Sequence, residues 1–194
     1  MHVVCVHANE GVAAALMVLD DQLMSQKAHG TTATAPPSRL RWGCSSKTAD
    51  RICCFNRRGA EKSGYFVSGT SFLADVKCGA DGEEDGGAAA ATGSADGAGK
   101  AVEITFYDSV SDKPLFVAPK GRGVADFLDE SIAHGWPSFR DDEVVVDSVR
   151  VLPDGEVVSL GGTHLGHNIP DAHGNRYCIN LVSIAGGAEQ ASVE

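Results

Sequence analysis

Positive charge is scarce in this sequence: 16 lysines and arginines stand against 26 aspartates and glutamates, a formal net charge of -10 over 194 residues. That balance argues against non-specific binding to nucleic acid or to an anionic membrane surface, and neither is expected as a partner. Long apolar runs are missing too. The longest, Gly11 to Leu19, falls well short of the roughly 18 residues of a membrane span and is bounded by Glu10 and Asp20–Asp21. No positive charge precedes it, as a secretory signal would require. The six cysteines, at 5, 44, 53, 54, 78 and 178, include no CxxC pair and lack the density of a small disulfide scaffold. The adjacent Cys53–Cys54 cannot clamp zinc through the usual two-residue spacer. Mostly free thiols in a reducing compartment, cytoplasmic or organellar, are therefore expected.

What is present fits one globular domain with extensions: 43% hydrophobic and 22% charged residues, in a chain long enough to bury a core. Residues 1–50, with Gly30 to Pro37 reading GTTATAPP, look like a poorly ordered leader. Residues 51–186 form the domain and 187–194 a tail. Residues 79–101 interrupt the domain with a Gly/Ala-rich acidic stretch. It has no aromatic or large aliphatic residue and should stay disordered, since it cannot offset its ordering entropy.

Beyond the insertion the signals are mainly β. Val102 to Tyr107 and Pro114 to Ala118 flank a turn, and Glu143 to Leu152 and Glu156 to Leu160 flank Pro153–Asp154–Gly155. Arg176 to Ile184 reads as the last strand. Val124, Phe127, Leu128 and Ile132 recur at helical spacing, which predicts one short amphipathic helix over 123–133.

Three segments carry chemistry. On the last strand, alternation puts Arg176, Cys178 and Asn180 on one side and Tyr177, Ile179 and Leu181 on the core side. A cysteine between a cation and an amide is a setting in which a thiol pKa falls, although a buried small hydrophobe is an equal reading of that strand alone. Upstream, His164-Leu165-Gly166-His167 can aim two imidazoles at one point, for proton transfer or for a metal, or can simply be exposed. His134-Gly135-Trp136-Pro137-Ser138-Phe139 reads as a rigid loop presenting Trp136.

GWPSF (135–139), HLGH (164–167) and RYCIN (176–180), in that order, closely resemble the B-type methionine sulfoxide reductase family over residues 100–186. A fainter match reaches Gly59-Ala60-Glu61 and Ser63-Gly64-Tyr65. The resemblance implies two small antiparallel sheets of the β-tent type with one short helix. It also implies thiol-dependent reduction of methionine-R-sulfoxide, free or within protein, as oxidative-damage repair. Cys178 would be the nucleophile that becomes a sulfenic acid. Arg176 would favour its thiolate, and His164, His167 and Asn180 would position water or supply a proton. Trp136, with Phe139 behind it, would receive the methionine methyl group. No bound cofactor is implied; thioredoxin or another thiol would be the reductant.

Two features depart from the family. The positions of its zinc-binding cysteine pairs fall at Asp108, Ser111, Val158 and Gly161, so no Cys₄ zinc site is expected. The resolving position two residues before Trp136 holds His134, which leaves Cys53 and Cys54 as the foremost internal candidates and direct reduction by an outside thiol as an equal route. Two alternatives belong to other classes: a redox-sensing or binding module without efficient recycling, and a metal-binding β protein using His164 and His167.

Overall fold

The computed structural model describes residues 16–17, 22–80 and 103–187, without side chains at 78–80. The acidic Gly/Ala segment expected at 79–101 lies almost wholly outside the described residues, as does the tail beyond Gly187, and so do Cys5 and the Cys78 side chain.

Hairpins form where the turn chemistry predicts them. Strands β1 (Ile104–Tyr107) and β2 (Pro114–Ala118) pair antiparallel and make the smaller sheet. Strands β4 (Val149–Val151) and β5 (Glu156–Ser159) flank the Pro153–Gly155 turn, where the Glu156 N–H donates to Asp154 Oδ1 at 3.1 Å. Strands β6 (His164–Asn168) and β7 (Tyr177–Ile179) continue the meander. The short β3 (Ser138–Phe139) pairs with β7, giving a five-stranded antiparallel sheet in the order β3-β7-β6-β5-β4. The molecule is thus β-rich with two antiparallel sheets.

Two strands are shorter than the sequence suggests: a turn closed by the Ser148 N–H on the Val145 carbonyl delays one, and a buried carboxylate captures the backbone at the end of the other. Glu143 is fully buried and accepts from the N–H groups of Lys120 (3.2 Å) and Arg140 (2.8 Å) and from the Arg122 guanidinium (2.8 and 2.6 Å). The chain there forms a 3₁₀ turn (Asp141–Glu143), and β4 starts only at Val149. At the other end, Glu61 accepts the N–H of Leu181 at 2.6 Å and of Val182 at 3.1 Å. That capture turns the chain after Ile179 into the 3₁₀ turn Leu181–Ser183.

More helix is present than the one predicted. The expected helix runs Val124–His134, burying Phe127, Leu128 and Ser131 while Ile132 stays exposed. Further helical segments span Ser46–Asp50, Tyr65–Ser68 and Phe72–Ala80, and a π-helical turn covers Arg51–Phe55.

The described part of the leader is not loose. Met24, Thr32, Leu40, Trp42, Cys44 and Ala49 are all buried. Trp42 packs edge-on against Phe72 at 5.0 Å and sits 5.7 Å from Phe106. From Phe106 the aromatic chain passes to Phe139 (5.0 Å), which stacks on Phe116 at 4.3 Å. One apolar core therefore joins residues 40–76 to both sheets, and burial of this kind is the main stabilising term. Composition alone could not reveal it, since two large side chains, Leu40 and Trp42, anchor an otherwise polar stretch.

Candidate active site

The register of the larger sheet builds the site. Cys178 on β7 lies opposite His167 on β6 and opposite Ser138 on β3, and His167 lies opposite Glu156 on β5. Directly opposed residues share a face, with Cβ atoms about 4.5–5.5 Å apart. Glu156, His167, Cys178 and Ser138 thus form one row across four strands. Tyr177 and Ile179, on either side of Cys178, are buried in the core, as the alternation predicts.

His164 joins this face through an irregularity. Residues three apart on a regular strand point to opposite faces. Here Val158 pairs with His164 while Glu156 pairs with His167, so three steps on β6 match two on β5. A β-bulge absorbs the extra residue and puts both histidines on one side. Their rings lie 5.6 Å apart, edge to face. Gly166 permits the close approach of β7, because a Cβ there would come within 2.1 Å of the Cys178 carbonyl oxygen.

His164 is fully buried and both its ring nitrogens face acceptors: Nδ1 lies 2.7 Å from Glu156 Oε1 and Nε2 3.2 Å from the Gly59 carbonyl. Glu156 in turn receives Arg57 Nε at 2.9 Å and Nη2 at 2.7 Å on its other oxygen. Asn180 is equally engaged. Its Nδ2 donates to the carbonyls of Gly59 (3.3 Å) and Leu165 (3.1 Å), and its Oδ1 accepts from the Glu61 N–H (3.3 Å). His164 and Asn180 thus tie residues 59–61 to β6 and β7.

The remaining groups are poised differently. Cys178 is part-buried and not in a disulfide. Burial pushes its thiol above the usual value; Arg176 pulls it back in part, and the Glu61 charge pushes it further up. The expectation of a depressed thiol pKa is therefore not met in this state, because desolvation outweighs the single cation. Arg176 is itself buried, with Nε 3.4 Å from Asp171 Oδ2. Its Nε and Nη1 make no hydrogen bond, which leaves donors unused in a buried place. Asp171 is held mainly by Arg140, which bonds both its oxygens at 3.0 and 2.9 Å. His167 is part-buried, and burial, with the charge on His164 second, lowers its pKa.

Trp136 sits between the C-cap of the Val124–His134 helix and β3. Gly135 caps that helix at φ +85°, a conformation that favours glycine, and its N–H donates to the Ser131 carbonyl at 2.8 Å. Its carbonyl accepts from the Gly64 N–H at 2.8 Å, while the Pro137 carbonyl accepts from Ile179 at 3.0 Å. The loop is tied on either side of Trp136, and the Trp136 indole N–H is buried without a partner. Phe139, by contrast, is a core residue with no exposed surface. His134, at the family's resolving position, is exposed.

Neither candidate resolving thiol is accessible. Cys53 is fully buried against Ser183 Oγ (3.3 Å), and its pKa is pushed well up by burial. Cys54 is 1% exposed, and burial raises its thiol to about 11.

Asp108, Ser111, Val158 and Gly161 stand where the resemblance would put two cysteine pairs. Fully buried Asp108 accepts from the Val110 N–H, Ser111 Oγ and Thr163 Oγ1, each at 2.9 Å. The N–H groups of Gly161 and Thr163 both donate to Ser159 Oγ at 3.2 Å. A carboxylate and hydroxyls thus stitch the β1–β2 turn to the β5–β6 turn. Val158 lies apart, in a small apolar cluster with Met24 and Leu152.

Sequence reasoning missed Glu156, Arg57 and the Glu61 cap. Glu156 was visible as the acid that opens β5, but its role depends on hairpin register, which brings it to His164 eight residues on. Fold and site together define a β-rich protein with a part-buried thiol in a polar row on its larger sheet. No protein-family model, curated protein or solved structure matches the chain.

Proposed function

We propose that the chain is a thiol reductase of methionine-R-sulfoxide, on a fold of the B-type methionine sulfoxide reductase kind. The observation that carries this reading is the row Glu156–His167–Cys178–Ser138, with Arg176 holding unused donors beside the thiol. The three sequence motifs support it, since each supplies one side of the same site.

In the reaction, Cys178 Sγ attacks the sulfoxide sulfur. The oxygen passes to Sγ, methionine leaves with the two electrons of the thiol sulfur, and Cys178 becomes a sulfenic acid. Because the thiol starts protonated, its proton must move. His167, kept neutral by burial, accepts it and passes it to the oxygen. The Arg176 donors take up the negative charge that develops there. The Trp136 face receives the methyl group. Two thiol equivalents of a reductant such as thioredoxin then return the sulfenic acid to thiol, yielding one disulfide and water.

The test is a steady-state assay of both sulfoxide epimers, with dithiothreitol and thioredoxin compared. Turnover of the R epimer that vanishes in Cys178→Ser is expected. Turnover in that variant, or a preference for the S epimer, overturns the proposal. The burial of Cys53 and Cys54 favours a second reading, a redox sensor on the same fold that reacts once per chain. Sustained turnover with either reductant refutes it.

A further inference from the structure

Away from the Cys178 row, a second group of ligating side chains is assembled from different elements. His29 comes from the turn over 27–32, Asp50 closes the Ser46–Asp50 helix, and Cys54 lies in the π-helical turn that follows. One ligand atom from each lies within 4.8 Å of the other two. His29 Nε2 is 2.5 Å from Asp50 Oδ1.

The backbone around this group is closely tied. The Thr31 N–H donates to the Cys54 carbonyl at 2.8 Å, and the His29 N–H to the Thr32 carbonyl at 2.9 Å. Thr32 Oγ1 returns a bond to the His29 carbonyl at 2.9 Å. The Phe55 ring meets the His29 ring edge-on at 4.8 Å. Asp50 and Cys54 are four residues apart across a π-helical turn, a wide turn that recurs at functional sites. Both cysteines are buried in the core, but Cys53 turns to Ser183 whereas Cys54 faces a histidine and a carboxylate.

We propose that His29, Asp50 and Cys54 bind a divalent cation of the zinc class, with a fourth position open to water. One nitrogen, one carboxylate oxygen and one sulfur form a donor set that suits zinc, whereas magnesium and calcium prefer oxygen alone. Zinc bonds of about 2.0–2.3 Å require donors about 3–4 Å apart in a tetrahedron, so His29 and Asp50 have to part from 2.5 Å to admit the ion while the widest pair, within 4.8 Å, closes slightly. His29 and Asp50 have side chains 31% and 38% exposed, enough to adjust and to admit water, while buried Cys54 supplies the fixed corner. A cation at this place would take Cys54 as the thiolate and displace its proton. Binding should therefore release a proton and strengthen as pH rises. A bound ion would also clasp residues 27–32 to the π-helical turn and withdraw Cys54 from any role as a resolving thiol.

The full-length chain, reduced and freed of metal by chelator, is titrated with Co²⁺ and then with Zn²⁺. Wild type and Cys178→Ser should each bind one Co²⁺ with a near-ultraviolet thiolate-to-cobalt band and tetrahedral visible bands, both lost on adding Zn²⁺. Cys54→Ser should lose the thiolate band, and His29→Gln should weaken binding tenfold or more. Because Cys54 is buried, His29→Gln, at a part-exposed position, keeps the test decisive if the serine variant does not fold. A wild type without the thiolate band overturns the proposal. So does unchanged affinity in His29→Gln, or loss of the band in Cys178→Ser, which would put the ion at Cys178 instead.

Discussion

Glu61 makes folding stability depend on pH in a direction opposite to that of most carboxylates. It is 5% exposed, and burial lifts its pKa from 4.5 to about 7, although two backbone N–H groups, of Leu181 and Val182, pull it down. A carboxyl with a raised folded-state pKa is easier to bury neutral than charged. Its contribution is therefore full below about pH 4.5 and is lost as pH rises through 7. At about 1.4 kcal/mol per tenfold in proton affinity, the whole span is worth about 3 kcal/mol, and some 2 kcal/mol of it falls between pH 5.5 and 8.5. Glu61→Gln removes the titration while keeping one acceptor oxygen, at a fixed cost of about 1 kcal/mol for the weakened cap. Urea unfolding of both proteins at pH 5.5 and 8.5 gives four stabilities. The variant's deficit at pH 5.5 should shrink or reverse at pH 8.5, by about 2 kcal/mol relative to wild type. His167, whose lowered pKa acts in the opposite sense, is common to both proteins and cancels in the comparison. A difference that stays constant between the two pH values would refute the reasoning.

The same site yields two further expectations. Glu156→Gln removes the carboxylate that buried His164 and Arg57 share, and should cost about 3 kcal/mol in urea unfolding at neutral pH; a loss under 1 kcal/mol would mean that the ion pair is not formed. Arg176→Gln removes the cation that pulls the Cys178 thiol down, so the midpoint of the pH profile for Cys178 alkylation should rise above that of wild type, and an unchanged midpoint would remove Arg176 from this role.

Much of this architecture was legible because local chemistry agreed with it. Asp154 and Gly155 mark the β4–β5 turn, and the alternation of Tyr177, Cys178 and Ile179 places the thiol off the core. The rest depends on partners far along the chain. Whether HLGH is a loop or a strand is settled by its pairing with β5, and only the bulge in that pairing brings His164 and His167 together. The engagement of Asn180 follows from the packing of residues 59–61 against it, a contact spanning about 120 residues of sequence. The leader misled for a different reason. The stretch around Trp42 is polar, yet this side chain is buried among aromatics contributed by residues 66–139, which a local window does not contain.

The Asp108 clasp has a consequence for the chemistry proposed for this protein. A repair enzyme for oxidised methionine meets the oxidants that make its substrate. Cysteines holding a structural ion are open to the same oxidants, and each step along the sulfenic and sulfinic series would loosen the turns they join. Aspartate, serine and threonine have no such ladder. With Asp108, Ser111, Ser159 and Thr163 in that place, these two turns stay joined under oxidising conditions and in the presence of chelators. The scaffold around Cys178 would thus outlast the stress under which the proposed repair is needed.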